Sequence, residues 1–340
     1  MNNNKFPKEN NLEWLRLIFA VQVVFDHASK HMGWPITDAI HYFPGVPAFF
    51  FVSGFLIYAS YLNTDVKNYF YNRFLRLFPG LVFVSLGGLF VVWVAHGSKL
   101  FFEHSNVNLT WFLAQITLGQ SFNPAIFRDV GVGVINGSLW TITVEILFYV
   151  SIPFVVWLER KNKFSLYLLF LVSFIIYSFG PDILGGNIYR DKSIYDALAL
   201  TPIPWGWMFI SGILAFKHFE VVAKYLKYTP ALVFPLLLLI FIDAGDNPVW
   251  GFSGNRLGFI YFFVYVSFIL YFSFTLPYRK LSFDISYGTY IWHMPVINLF
   301  LVLNFNNPLI AVGITICISL FSWFFIEKKF LKMKKKTIKV

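Results

Sequence analysis

"WLRLIFAVQVVFDHASKHMGW" (residues 14–34) decides what kind of protein this chain is. Most of it reads as a helix made for lipid, yet Arg16, Asp26 and His27 lie within or at the edges of the apolar run. A charge at bilayer depth is expensive, so a chain that carries one there has a use for it. At about 100° per residue, Arg16 and His27 point within roughly 20° of each other and are separated by a rise of about 16 Å. Arg16 then sits toward the cytoplasmic half of a span and His27 toward its outer end. Such a face can line a polar cavity. Equally, Arg16 can snorkel to the inner headgroups and His27 can rest at the interface. Spacing alone leaves both readings open.

The rest of the chain argues that a membrane is the right setting. Of its 340 residues 57% are hydrophobic and only 13% charged, and the mean hydropathy is +0.63. Soluble domains carry about 25% charged residues. Phe contributes 43 residues, Tyr 18 and Trp 11, a composition suited to lipid contact and interfacial belts. Cys317, the single cysteine, rules out an intrachain disulfide and offers too few thiolates for a zinc or iron–sulfur site. It reads as packing, and no metal is expected. Lys5 and Lys8 precede an apolar core as in a signal peptide, but no small-x-small cleavage site follows, so the segment is expected to be an uncleaved first span.

Apolar runs long enough to cross a bilayer fall at roughly 12–30, 45–62, 74–96, 138–158, 165–180, 199–216, 229–243, 256–276, 285–303 and 309–326. The expected fold is therefore an all-α polytopic membrane protein of about ten transmembrane helices with both termini cytoplasmic. The stretch 109–122, "LTWFLAQITLGQSF", is apolar but short. If it does not cross, 21 of the 27 basic residues fall on one side, including the tail at 327–340. That asymmetry marks the cytoplasm and makes 109–122 re-entrant or interfacial. The net charge of +10 is then topology and lipid-headgroup contact, not nucleic-acid binding. No stretch is long enough for a separate soluble domain, so 1–340 reads as one transmembrane domain.

Three further constellations bring ionisable groups into this apolar frame. In "RFLRLFPG" (73–80), Arg73 and Arg76 share a helix face at the cytoplasmic start of a span. Two guanidiniums there can hold phosphates bidentately, and positive-inside flanking explains them equally well. In "SLWTITVEILFY" (138–149), Glu145 lies between Val144 and Ile146 within a span. It must face a cavity or a cation, or be protonated; a structural ion pair is the plain alternative. In "SYGTYIWHMPV" (286–296), His293 is mid-span and Pro295 frees a backbone carbonyl nearby. A core histidine satisfied by a hydroxyl is the ordinary explanation. Ser53 in "FFVSGF" reads as small-residue packing with Gly54 rather than as a nucleophile. Taken together, four spans with ionisable groups point to one internal site.

These blocks resemble the acyltransferase-3 family of membrane acyltransferases. The Arg16-x10-His27 pattern resembles the signature of that family's first helix, and "FFFVSGFLI" (49–57), "RFLRLFP", "SLWTITVEILFY" and "SYGTYIWH" resemble its later blocks in the same order. The likeness runs from about residue 11 to 330. In "FFIEKKF" (324–330), Lys329 stands where the family commonly has proline, a departure at the local turn. No fused extracytoplasmic esterase-like domain is expected. The resemblance implies a ten-helix enzyme of the bacterial inner membrane. It would take an acetyl group from cytoplasmic acetyl-CoA and pass it to a hydroxyl of an extracytoplasmic acceptor, a surface or lipid-linked glycan. By position, Arg16 and His27 match motif residues held essential, Arg73 and Arg76 the second motif, and Glu145 and His293 later motif positions.

The chemistry of such a transfer assigns roles. A thioester is already activated, so the work is to deprotonate a hydroxyl, stabilise an oxyanion and align the partners. His27 is the expected base, with Glu145 orienting or polarising an imidazole. Arg16 is expected to stabilise charge or grip the donor's pantetheine–phosphate arm. Arg73 and Arg76 would anchor its phosphates, and His293 would act as second base or oxyanion donor. Trp111, Trp140 and Trp205 are candidates to stack on sugar faces or to anchor at the interface. The alternative is a transporter or flippase for a lipid-linked glycan that uses the same groups as a proton relay, although no internal repeat of the transporter kind is visible.

Overall fold

The computed structural model describes residues 6–33, 38–185 and 193–335. Lys5, Arg190, Lys192, Lys336 and Lys339 of the charge count lie outside them. In chain order the helices are α1 (Leu12–Met32), α2 (Gly45–Leu62), α3 (Val66–Glu103), α4 (Ser105–Gln115), α5 (Trp140–Lys161), α6 (Ser165–Leu184) and α7 (Ile194–Ala199). They continue with α8 (Pro202–Lys217), α9 (Phe219–Tyr225), α10 (Val233–Ile242), α11 (Phe259–Phe274), α12 (Ser286–Val302), α13 (Pro308–Ser322) and α14 (Lys328–Leu331). Among the described residues, extended structure is confined to a short antiparallel pair, β1 (Phe252–Ser253) with β2 (Arg256–Leu257). The protein is an all-α polytopic membrane protein.

A helix falls on every one of the ten expected spans. Among the described residues, seven segments are long and apolar enough to cross a membrane by length and composition. α1 has the length, at 21 residues, but carries Glu13, Arg16, Asp26 and Lys30; α11 and α12 are shorter, at 16 and 17 residues. α10 is apolar around its whole circumference, with Phe241 87% and Phe234 78% exposed. A surface of that kind is stable only against lipid or another apolar partner. α4 has 11 residues, about 16 Å of helix, which is too short to span. α3 begins eight residues earlier than the apolar run, where the Asp65 carboxylate accepts from the Asn68 N–H at 2.9 Å. Its far end bends at Gly97, whose φ of 71° is open to glycine at little cost.

The described chain forms two compact units. One comprises residues up to 19, then 38–64 and 147–282. In it α2 and α8 approach so closely that a Cβ on Gly54 would lie 1.8 Å from the Phe209 carbonyl oxygen, and one on Gly212 2.0 Å from that of Phe51. The small-residue packing expected at Ser53–Gly54 is thus carried by Gly54 and answered by Gly212. At the far ends of the same helices the Tyr58 hydroxyl donates to Glu159 Oε2 at 2.8 Å while Lys217 pairs with Oε1. Trp205, in the first turn of α8 at the opposite end, is buried against Phe50, its Nε1 donating to the Ala199 carbonyl at 2.7 Å. It is part of the core, not a sugar platform.

The other unit comprises 20–37, 65–146 and 283–340. Val24, Ala28 and Met32 of α1 pack with Met294, Ile297 and Phe300 of α12 and with Ala311 and Val312 of α13. A second cluster joins Val91 and Val92 of α3 to Trp111, Phe127, Val130 and Ile135. Trp111 is 2% exposed and lies against Phe127, so it too serves packing and not carbohydrate stacking. The chain stays helical through Lys329, after a π-helical segment at Trp323–Glu327. The departure from proline at this position therefore corresponds to an unbroken turn.

Candidate functional site

His27 and His293 meet. The half-buried His27 ring on α1 stacks on the fully buried His293 ring of α12, with centroids 4.8 Å apart and planes inclined by 26°. His27 Nδ1 and His293 Nε2 are 2.6 Å apart. The sequence separates these residues by 266 positions; apolar packing of Val24 and Ala28 against Met294 and Ile297 brings their helices together.

The geometry fixes where the hydrogens are. His293 Nδ1 lies 2.6 Å from the Tyr290 carbonyl oxygen, which can only accept, so Nδ1 carries a hydrogen. In the neutral ring Nε2 is then the acceptor, and the hydrogen between the two rings belongs to His27 Nδ1. That leaves Nε2 of His27 with a lone pair. A carbonyl fixes one tautomer, which fixes the next, and the outcome is an imidazole ready to accept a proton. His31, one turn further along α1, places its ring centroid 5.8 Å from that of His27.

Tyr290 links this pair to α5. Its hydroxyl lies 2.7 Å from that of Thr141, and Glu145, one turn on from Thr141, is close enough to act on it electrostatically. Glu145 itself is half-buried. The Tyr290 carbonyl and the second ring orient the imidazoles directly. Arg16 is half-buried on the first half of α1, in the other unit.

Arg76 is engaged by a residue that sequence reading passed over. Its Nη2 donates to Asp284 Oδ2 at 2.7 Å, with both side chains largely buried. Asp284 Oδ1 in turn accepts from the Ser286 hydroxyl at 2.5 Å and from the Ser286 N–H at 3.3 Å, at the start of α12. Arg73 lies over the Tyr69 ring at 5.5 Å. From Asp284 to His293 is about 14 Å along a helix of this rise, so the arginine pair and the histidine pair address different levels of α12. A cavity of about 460 Å³ opens beside the end of α3, lined by His96, His104, Arg128 and Asp129 among others. None of the predicted site residues lines it. Among the described residues no group of three His, Cys, Asp or Glu side chains is placed to hold a metal ion.

Two relatives resemble the chain over almost all of its length. Nodulation protein 10 of Rhizobium leguminosarum bv. viciae is 26% identical, with 98% of this chain and 96% of that protein covered. An O-acetyl transferase of Shigella phage Sf6 is also 26% identical, over 95% of this chain and 96% of that protein. No solved structure matches. The acyltransferase-3 family, described as "Acyltransferase domain", matches residues 9–327, and the chain therefore belongs to this family of acyltransferases, as its ordered blocks led us to expect.

Proposed function

We propose that this acyltransferase moves an acetyl group from cytoplasmic acetyl-CoA to a hydroxyl of an extracytoplasmic glycan or lipid-linked saccharide, in a bacterial inner membrane. His27 is the base. The observation that carries this reading is the hydrogen-bonded chain from His27 Nδ1 through His293 to the Tyr290 carbonyl, which leaves His27 Nε2 to accept a proton. As the acceptor oxygen forms its bond to the thioester carbonyl carbon, Nε2 takes the hydroxyl proton. The C–S bond then breaks and the proton returns from Nε2 to the departing thiolate. While His27 is charged, its Nδ1–H points at His293 Nε2, and the Tyr290 carbonyl dipole stabilises charge passed to the second ring.

The remaining residues take supporting roles. Arg73 and Arg76 are the proposed phosphate anchors. Arg16, three turns before His27 on α1, is proposed to hold negative charge on the donor. Glu145 sets the electrostatics of Tyr290 and, through it, of the pair. The basic-residue asymmetry supports ten spans with both termini cytoplasmic and with α4 not crossing.

The test is release of free CoA from acetyl-CoA in membrane vesicles of the source cell, which carry the acceptor. His27→Ala is expected to lower turnover by about 10²–10⁴-fold with insertion intact, because one half-buried ring contributes little to span hydrophobicity. A His27→Ala chain that acetylates at a near wild-type rate would overturn the assignment.

A further inference from the structure

Pro295 leaves a gap in α12. In an α-helix the carbonyl of residue 291 accepts from the N–H of residue 295, and proline has none. The Ile291 carbonyl is therefore orphaned inside a helix whose residues 286–298 are all buried, two positions before His293. A buried carbonyl must be satisfied from elsewhere, and it is. Asn136 Nδ2 donates to it at 2.9 Å. Asn136 is itself 4% exposed and stands just ahead of α5. Its Oδ1 accepts from the Ser138 hydroxyl at 2.8 Å, which fixes the amide with its NH2 toward α12.

The neighbouring contacts grip the same turn. The Tyr290 hydroxyl meets Thr141 at 2.7 Å and the Ser138 carbonyl at 3.3 Å, while the Tyr290 carbonyl holds His293 Nδ1. Segment 136–141 thus holds α12 at residues 290 and 291. The turn it holds is the one that orients the imidazole. Five residues beyond His293, Asn298 donates to the carbonyls of Val134 and Ile135 and accepts from the Val132 N–H at 2.8 Å. His293 is bracketed on both sides by the loop that leads into α5.

We infer that Asn136 is a positioning residue for the histidine pair: by occupying the carbonyl that Pro295 vacates, it holds α12 in the rotation that keeps His293 Nε2 on His27 Nδ1. This rests on the proposed role of that pair. Shape alone does not require an amide at 136; the missing N–H at 295 does. The two residues are one device, and removing the proline should remove the need for the asparagine.

The experiment is a cycle of Asn136→Ala, Pro295→Ala and the double variant in the full chain, read as CoA release from acetyl-CoA in the same vesicles. Asn136→Ala is expected to lower kcat by about 100-fold, the scale of an ångström's misplacement, with KM for acetyl-CoA within about twofold of wild type. Its pH–rate profile should be displaced, because the tautomer lock on His27 is loosened. Pro295→Ala alone should stay within about fivefold of wild type, and the double variant should return to that level with the wild-type profile, since replacing the proline restores the backbone N–H that the Ile291 carbonyl lacks. Where Asn136→Ala yields too little folded protein, Asn136→Asp keeps the shape and loses the donor, and the same rescue is expected.

Three results would overturn the inference: wild-type kcat in Asn136→Ala, a double variant as impaired as Asn136→Ala, or an inactive Pro295→Ala, which would give the proline another task. His27→Ala measured alongside separates two failures. Activity retained there removes the catalytic reading. An inactive His27→Ala without rescue in the double variant removes only the positioning role.

Discussion

Arg76 is held by a carboxylate, and that changes what its substitution reports. Arg76→Ala removes the Nη2 donor from the largely buried Asp284 carboxylate, which should cost on the order of 3 kcal/mol. Arg76→Ala/Asp284→Ala should recover much of it, as thermal unfolding in detergent would show. A kinetic defect in Arg76→Ala alone is therefore ambiguous between folding and donor binding, and Arg73 is probed by a substitution that keeps its charge. Arg73→Lys keeps the positive charge but loses the planar fork that matches phosphate. It should raise KM for acetyl-CoA at unchanged folded yield; an unaltered KM would leave this arginine a topological role only. Glu145→Gln keeps shape and hydrogen bonding and removes the charge near Tyr290. It is expected to insert and fold, to lose most acyl transfer and to shift the pH–rate profile, whereas full activity with unchanged pH dependence would remove Glu145 from the site. His27 and His293 could be picked out of the sequence because an imidazole among Val, Phe and Ile is conspicuous. Asp284 and Asn136 could not. A carboxylate in "SFDIS" and an amide in "VINGSLW" are ordinary in loops, and their importance lies in partners 208 and 155 residues away.

At the scale of elements, proline does the same thing twice. Pro181 in α6 frees the Tyr177 carbonyl, and Arg256 Nη2 from β2 donates to it at 3.0 Å; Pro295 in α12 frees that of Ile291, and Asn136 fills it. The sequence announced the carbonyl freed by Pro295 through the missing N–H, but not its donor, because a side chain from a distant segment supplies it. Helix existence was readable from apolar length alone, and all ten expected positions carry one. Helix starts were not: α3 begins at Val66 because Asp65 caps it and its polar first turns stay helical, where hydropathy marked 74, whereas the expected end at 96 falls at the non-helical Gly97. Close approach is a third element-scale property. The contact of α2 with α8 needs hydrogen atoms in place of side chains at Gly54 and Gly212. Gly54→Ala should cost about 2 kcal/mol by forcing the helices apart, seen as a lower melting temperature in detergent, with Gly54→Leu failing to fold. A Gly54→Ala chain as stable as wild type would show the two helices free to separate.

For the whole molecule, the division of basic residues makes a directional claim that chemistry can check. In a Cys317→Ala background, Ser121→Cys should react with a membrane-impermeant maleimide on intact cells, and Lys163→Cys only after permeabilisation. Labelling of both from one side would refute ten spans with a non-crossing α4. The order of assembly follows from a separation already noted. His27 enters the membrane with the first helix, and the ring that fixes its hydrogen is encoded 266 residues later. At ribosomal speeds of about 5–20 residues per second, roughly 15 to 50 s pass between the two. Throughout that interval the nascent protein holds one half of a pair, and no truncated product ending before α12 can hold both. With the proposed role of the pair, synthesis through α12 is the event that arms the imidazole, and a translation interrupted before it leaves a membrane protein that is present but chemically silent.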